Sequence, residues 1–148
     1  MGTQVILNNV RLRYAHVWDR RPPLNNAEGA GKYEATFLIE PGSANEKKIL
    51  QAIDIEGEAA YKKDWPAKKR SFQTLVTKLC YRPGETYNAD GFEGMNFIVA
   101  KSDTRIAVYD RLKNPVTRDD DILYPGVWVD VAIDVYKAKT YDGIFAGL

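Results

Sequence analysis

"VWVDVAIDVYKAK", residues 127–139, restricts the fold more than any other stretch of this chain. Val127, Val129, Val131, Ile133 and Val135 recur at every second position, and second neighbours in an extended strand share a face. Such a strand must bury its apolar face while the opposite one meets solvent or a partner. "KYEATFLIEPG" (32–42) alternates in the same way. Tyr33, Ala35, Phe37 and Ile39 fall on one face and Lys32, Glu34, Thr36 and Leu38 on the other, and Pro41-Gly42 ends the run. "TQVILNNVRLRY" (3–14) is a third β-rich stretch, with a bulge expected at Asn8-Asn9.

Helical periodicity is prominent only once. Ser43 and Glu46 form a capping box, and Ile49, Ile53 and Ala60 then recur near helical spacing. A long amphipathic helix over 43–65 is expected, inserted between strands and ended by Trp65-Pro66. Gly57 weakens its middle by ~1 kcal/mol relative to Ala. "AHVWDRRPPLNNAEGAGK" (15–32) reads as a long loop, residues 66–94 as a short helix or turn followed by a loop at "ADGFEG". "GMNFIVAKSDTRIAVYD" (94–110) reads as a hairpin turning near Ser102-Asp103, 110–126 as a polar loop, and "GIFAGL" (143–148) as one more strand.

Five or six strands, one long helix and no βαβα alternation predict a mainly β fold. The expected form is a closed or nearly closed antiparallel barrel with the helix packed at one end. Closure also removes exposed sheet edges. With no repeat and no linker, residues 1–148 are expected to form a single domain.

Several function classes fall away. A hydrophobic fraction of 45% and a charged fraction of 28% describe a soluble globular chain. No apolar run approaches the ~20 residues of a membrane helix. The start has no secretory pattern, and Ile6 stands where a myristoylation motif needs Ser or Thr. Cys80 is the only cysteine, which excludes an internal disulfide and makes a cytoplasmic location the expectation. His16, the one histidine, has no serine or cysteine signature beside it, and one Cys with one His does not make a zinc site. "GAGK" (29–32) lacks Walker spacing and runs into a strand, and "RDDD" (118–121) reads as a solvated acidic turn. Neither enzyme activity nor a cofactor is expected.

What remains is a recurrent mixture of cations and rings. Trp18 adjoins Arg20 and Arg21, and Lys32 lies on the polar face of its strand. Lys78, Tyr81 and Arg82 cluster in "KLCYRPG", while Lys101, Arg105, Tyr109 and Arg111 follow one another through the 94–111 hairpin. Arg105 and Tyr109 share a face at strand spacing. Single-stranded nucleic acid needs this combination, because cations track phosphates while exposed rings stack on bases at ~1–3 kcal/mol each. A net charge of +1 is compatible with it if acids and bases segregate. Lys62, Lys63, Lys68 and Lys69 read better as a solvated helix end, and Trp65 as a core anchor. Trp18 is open between burial and ligand contact. Trp128 and Tyr136 share a strand face with Asp130 and Asp134, which would repel phosphate, so that face is expected to lie away from nucleic acid or to pack elsewhere.

"YEATFLIEPGS", "GFEGMNFIVAKSDTRIAVYDRLKNPV" and "LYPGVWVDVAIDVYKAKTYDGIFAGL" together resemble the phage single-stranded-DNA-binding proteins formerly catalogued as a family of unknown function. The most specific parts are "AKS" followed by an Arg and "V-Y-D", and the pattern Tyr124, Gly126, Trp128, Val129. The resemblance runs from about residue 3 to the end. It implies an OB fold that binds single-stranded DNA in phage replication, recombination or repair, without a cofactor. Relatives tend to carry Pro where this chain has Ile106. They also continue past the equivalent of "GIFAGL" with a strand-like stretch and a flexible, often acidic tail, whereas this sequence ends at Leu148. The expectation is a longer and more acidic natural protein, whose tail contacts phage or host replication proteins. Oligomeric state is left open, and a protein-docking module of a replication complex is the alternative reading.

Overall fold

The computed structural model describes residues 2–21, 31–84 and 94–148. The elements are β1 (Thr3–Arg21), β2 (Lys32–Ile39), α1 (Ala44–Tyr61), α2 (Trp65–Thr74), β3 (Tyr81–Pro83), β4 (Asn96–Ser102), β5 (Trp128–Lys137) and β6 (Ile144–Gly147). β1 pairs β5 through its first half and β2 through its second. β2 pairs β4, β4 meets β6 in parallel at Lys101 and Gly147, and β6 returns to β5. The ring closes as β1–β2–β4–β6–β5, with β3 lying beside β4. The expected barrel is thus present, antiparallel except for the β4–β6 contact.

Inward positions supply the core. Val5, Leu7, Val10 and Leu12 of β1 meet Ala35, Phe37 and Ile39 of β2, Ile98 and Ala100 of β4, and Ile133 and Val135 of β5. Asn9 adopts φ 55°, and the β1–β5 register slips between Leu7 and Val10, so the expected bulge lies at Asn8-Asn9. Two expectations about the strands fail. β1 continues through residues 15–21, read from sequence as loop, because β2 offers it a pairing edge as far as Lys32. β2 is buried on both faces from Glu34 to Ile39, since Leu38 joins Phe97, Met95 and Val99 in a second apolar cluster on the other side.

The helical region also differs. Ser43 caps α1 by accepting the Glu46 amide, as expected, but the helix ends at Tyr61. Lys62 takes φ 52°, a tight turn follows, and Pro66 opens a second helix instead of ending the first. A proline fits that first turn because its missing N–H has no partner to lose. Gly57 is where the two helices meet: a Cβ there would lie 2.2 Å from the Trp65 ring. Trp65 is buried, stacked at 5.9 Å on Tyr61 and edge-on at 6.2 Å to Phe72, and its Nε1 donates to Asp54. It is the core anchor expected.

The two halves of the chain are tied by Glu46. Its carboxylate accepts from the Tyr81 hydroxyl, the Gly42 amide and the Asn96 amide group, joining the start of α1 to β3 and β4. The Tyr81 hydroxyl, then the Gly42 amide, hold this carboxyl below its usual range. A depressed native pKa adds stability above the unfolded-state value of 4.5 and loses it as pH falls through the native one. Glu46→Gln is therefore expected to cost about 1 kcal/mol at pH 7, and the difference from the parent should shrink below pH ~4 in thermal melts. A gap independent of pH would contradict the ionic role.

Gly57→Ala tests the helix contact. Helix propensity favours Ala by about 1 kcal/mol, but a Cβ at 2.2 Å must displace a buried indole. Overpacking of this kind costs ~1–3 kcal/mol, so net destabilisation is expected in denaturant melts. A stabilised variant would show that Trp65 moves freely.

Candidate nucleic-acid interface

The 94–110 hairpin does not form. β4 is paired with β2 on one edge and with β3 and then β6 on the other, so residues 104–110 have no edge to join. The chain leaves the sheet at Ser102, whose hydroxyl accepts the Thr104 amide. It then crosses the side of the barrel to β5. Ile106, Leu123 and Val127 pack on the core, and Val116 is buried, so this long crossing is pinned at intervals. Between those anchors it folds back on itself. Val116 donates to Val108, Tyr109 bridges to Pro115, and Asp110 accepts the Leu112 and Asn114 amides to fix the tip. Those amides, Asn114 first, hold the Asp110 carboxyl below its usual range.

This crossing and the end of β1 enclose an open groove of about 470 Å³. Trp18 and Asp19 form one side, and Arg105, Tyr109, Pro115 and Asp119 are among the residues of the other. Trp18 sits in β1, not in a loop: one part of it packs on the core while it also lines the groove. Tyr109 is 61% exposed. Arg118 reaches Asp19, an ion pair that ties the two sides together. The acidic turn beside it is organised as a cap, with Asp120 accepting the Thr117 amide at 2.8 Å. Among the described residues, no group of three or more metal-ligating side chains converges.

A cationic group adjoins the groove at the mouth of β1, β2 and β4. Arg20 lies 5.0 Å over the Tyr33 ring and donates to the Gly31 and Asp103 carbonyls. Lys32 lies 3.6 Å from Asp103. Arg21 at 2.6 Å and Lys101 at 3.5 Å both contact Glu34, a carboxylate residue only 8% exposed. Trp18, Arg105 and Tyr109 line the groove, while Arg20 lies on the Tyr33 face of β2 and Arg21 and Lys101 on its Glu34 face, at the strand ends next to the crossing.

Four other residues singled out from the sequence lie elsewhere. Arg111 is exposed at the tip of the crossing. Lys78 extends over the Tyr141 ring at 6.0 Å. Tyr81 is partly buried against the core with its hydroxyl on Glu46, and burial, then Glu46, raises its pKa. Arg82 donates to the Leu79 carbonyl, and burial lowers its pKa. Cys80 beside them is buried and its thiol is pushed up to about 12, which leaves it inert.

Other exposed rings were not selected from sequence. Trp128 is 58% exposed on the outer face of β5, with the Arg11 guanidinium 5.4 Å over it. The β1–β5 register that sets Arg11 opposite Trp128 has no local sequence signal. Asp130, which argued against that face, accepts the Asn9 amide of the bulge at 2.7 Å.

Comparison with known proteins gives a consistent result. A family model described as the single-stranded-DNA-binding protein of Enterobacter phage Enc34 matches residues 3–148. A protein called putative protein p50, from Acyrthosiphon pisum secondary endosymbiont phage 1, is 31% identical over 136 residues, covering 90% of this chain and 72% of its own length. The bacteriophage Enc34 single-stranded DNA-binding protein, solved in complex with single-stranded DNA, superposes with a TM-score of 0.75 at 21% identity, over 98% of this chain and 82% of that one. A C-terminally truncated form of the Enc34 protein gives 0.71, again at 21% identity and with the same coverage. The barrel is the fold of those structures, and the chain belongs to the Enc34-type family of phage single-stranded-DNA-binding proteins.

Proposed function

We propose that this protein binds single-stranded DNA with little regard to sequence, in phage DNA replication, recombination or repair in the cytoplasm of the infected host. It acts by binding, not by catalysis. The observation that supports this most is the convergence of Trp18, Arg105 and Tyr109, from two segments far apart in sequence, on one open groove. Rings present a face to any base, and a guanidinium beside them takes phosphate, so affinity comes without base-edge readout. The neighbouring cations extend the electrostatic track. Family membership and the DNA-bound Enc34 neighbour support the same reading.

Glu34 refines the picture. Its carboxylate holds Arg21 and Lys101 at defined positions while cancelling part of their charge. Both cations have side chains about half exposed, so the pair is not sealed from solvent. An incoming phosphate therefore competes with Glu34 for cations that water already screens.

Two tests follow, both by fluorescence titration with labelled oligo-dT. With about four to six phosphates neutralised, log K should fall against log salt with a slope of roughly −3 to −4. Trp18→Ala and Tyr109→Ala should each weaken binding by ~1–3 kcal/mol, and Arg105→Ala should reduce the slope by ~0.7. Melting temperatures must stay at the parent value for Tyr109→Ala and Arg105→Ala, whose side chains are exposed. Parent-like binding by all three variants would place the DNA elsewhere. Glu34→Gln should tighten binding at low salt and steepen the slope by up to ~1.4, about 0.7 for each released cation. An unchanged slope would mean that Arg21 and Lys101 do not meet phosphate.

A further inference from the structure

α1 lies along the first residues of β1, and its side chains occupy much of the strand edge that β5 leaves unpaired. Asn45 exchanges two hydrogen bonds with the Asn8 backbone, donating at 2.9 Å and accepting at 3.1 Å. Lys48 donates to the Ile6 carbonyl at 2.9 Å, and Glu56 accepts from the Thr3 hydroxyl at 2.9 Å. A helix covering an edge in this way protects it from strand addition. What stays open is a groove of about 350 Å³ between Ile6 on the strand and Gln51 and Ile55 on the helix. Ile6 is 45% exposed and Ile55 47%, so an apolar patch faces water here.

The charges beside this groove run against the helix that carries them. Lys47, Gln51, Ile55 and Glu58 follow at spacings of four, four and three residues, which makes them one stripe along α1, and all four are exposed. A helix favours anions at its N-terminus and cations at its C-terminus. This stripe begins with a cation and ends with an anion, and no basic residue stands in the last turn. Among the described residues, neither Lys47 nor Glu58 has an ion-pair partner. Mixed signs do not suit a polyanion. They do suit the same stripe run in the opposite direction: set antiparallel to itself, Lys47 meets Glu58 and Gln51 meets Ile55.

We propose that α1 is the interface of a two-fold dimer of this chain. A two-fold contact uses the same patch on both copies, so the patch must be complementary to itself. Lys47 of each copy pairs with the partner's Glu58, and Ile6 and Ile55 of each copy close the groove of the other. The stripe lies beside the first residues of β1 and Trp18 beside the last, so the proposed DNA grooves stay open in the dimer. An interface built on one helix stripe belongs at the small end of the range, under about 1,200 Å² in total. The dimer is therefore expected to dissociate on dilution.

Sedimentation velocity of the intact chain without DNA, from about 1 μM to about 1 mM, tests this. The mass should rise with concentration from that of one chain toward that of two. Lys47→Glu or Glu58→Lys alone sets like charges opposite each other across both symmetry-related pairs. Each should weaken the dimer by about 2- to 30-fold. The double variant Lys47→Glu/Glu58→Lys should return it to the parent value. Both reversals move α1 toward the arrangement its dipole favours, so melting temperatures should not fall and unfolding cannot account for a lost dimer. Ile55→Gln should weaken association by at least about tenfold. A chain that stays monomeric over the whole range, a dimer that none of these variants weakens, or single reversals that the double variant fails to rescue would each overturn the proposal. The single-stranded-DNA reading stands or falls separately, on the groove variants.

Discussion

Backbone pairing along β4 uses both of its edges, and the rest of the site follows from that. The chain beyond Ser102 has no strand to pair with and travels across the outside of the barrel to reach β5. A crossing of this length stays in place only if it buries something, and Ile106, Val116 and Leu123 provide that. What lies between the anchors stands away from β1 and leaves the groove. Arg105 and Tyr109 belong to the crossing, Trp18 to the strand beneath, and neither segment makes the site alone.

Electrostatics are local rather than global. A chain of net charge +1 has no general attraction for a polyanion. Here acids are committed to structural duties: Asp130 to the bulge, Glu46 to the helix start, Asp110 and Asp120 to turns. Around the groove mouth, Arg20, Arg21, Lys32 and Lys101 lie within one neighbourhood, with Glu34 and Asp103 as fixed counter-charges. Such pairing holds long side chains near a working position at little cost in stability, because exposed ion pairs contribute only ~0–1 kcal/mol.

Short-range signals carried much of the fold. Alternation gave the inward faces of β2 and β5, and the Ser43–Glu46 spacing gave the start of α1. Errors arose where long-range pairing overrode local character. Residues 15–21 mix polar and apolar types and precede two prolines, yet β2 draws them into β1. Glu34 alternates onto what looked like the outer face, but neighbouring elements cover it. Pro66 read as a stop because a proline ends one helix as readily as it starts another. In the site, the residue types of Trp18, Arg105 and Tyr109 were legible. Their meeting was not, since it depends on β4 having no free edge, a property of the whole sheet rather than of any window of sequence.

The central claim is that single-stranded DNA lies in the groove between β1 and the crossing. Photo-crosslinking of the intact protein to oligo-dT, followed by peptide mapping, tests it most directly. Crosslinks at Trp18 and Tyr109, lost on competition with unlabelled oligonucleotide, are the expected result. Crosslinks confined to α1, α2 or the Tyr124–Trp128 surface, with none on residues 18 or 105–109, would contradict it.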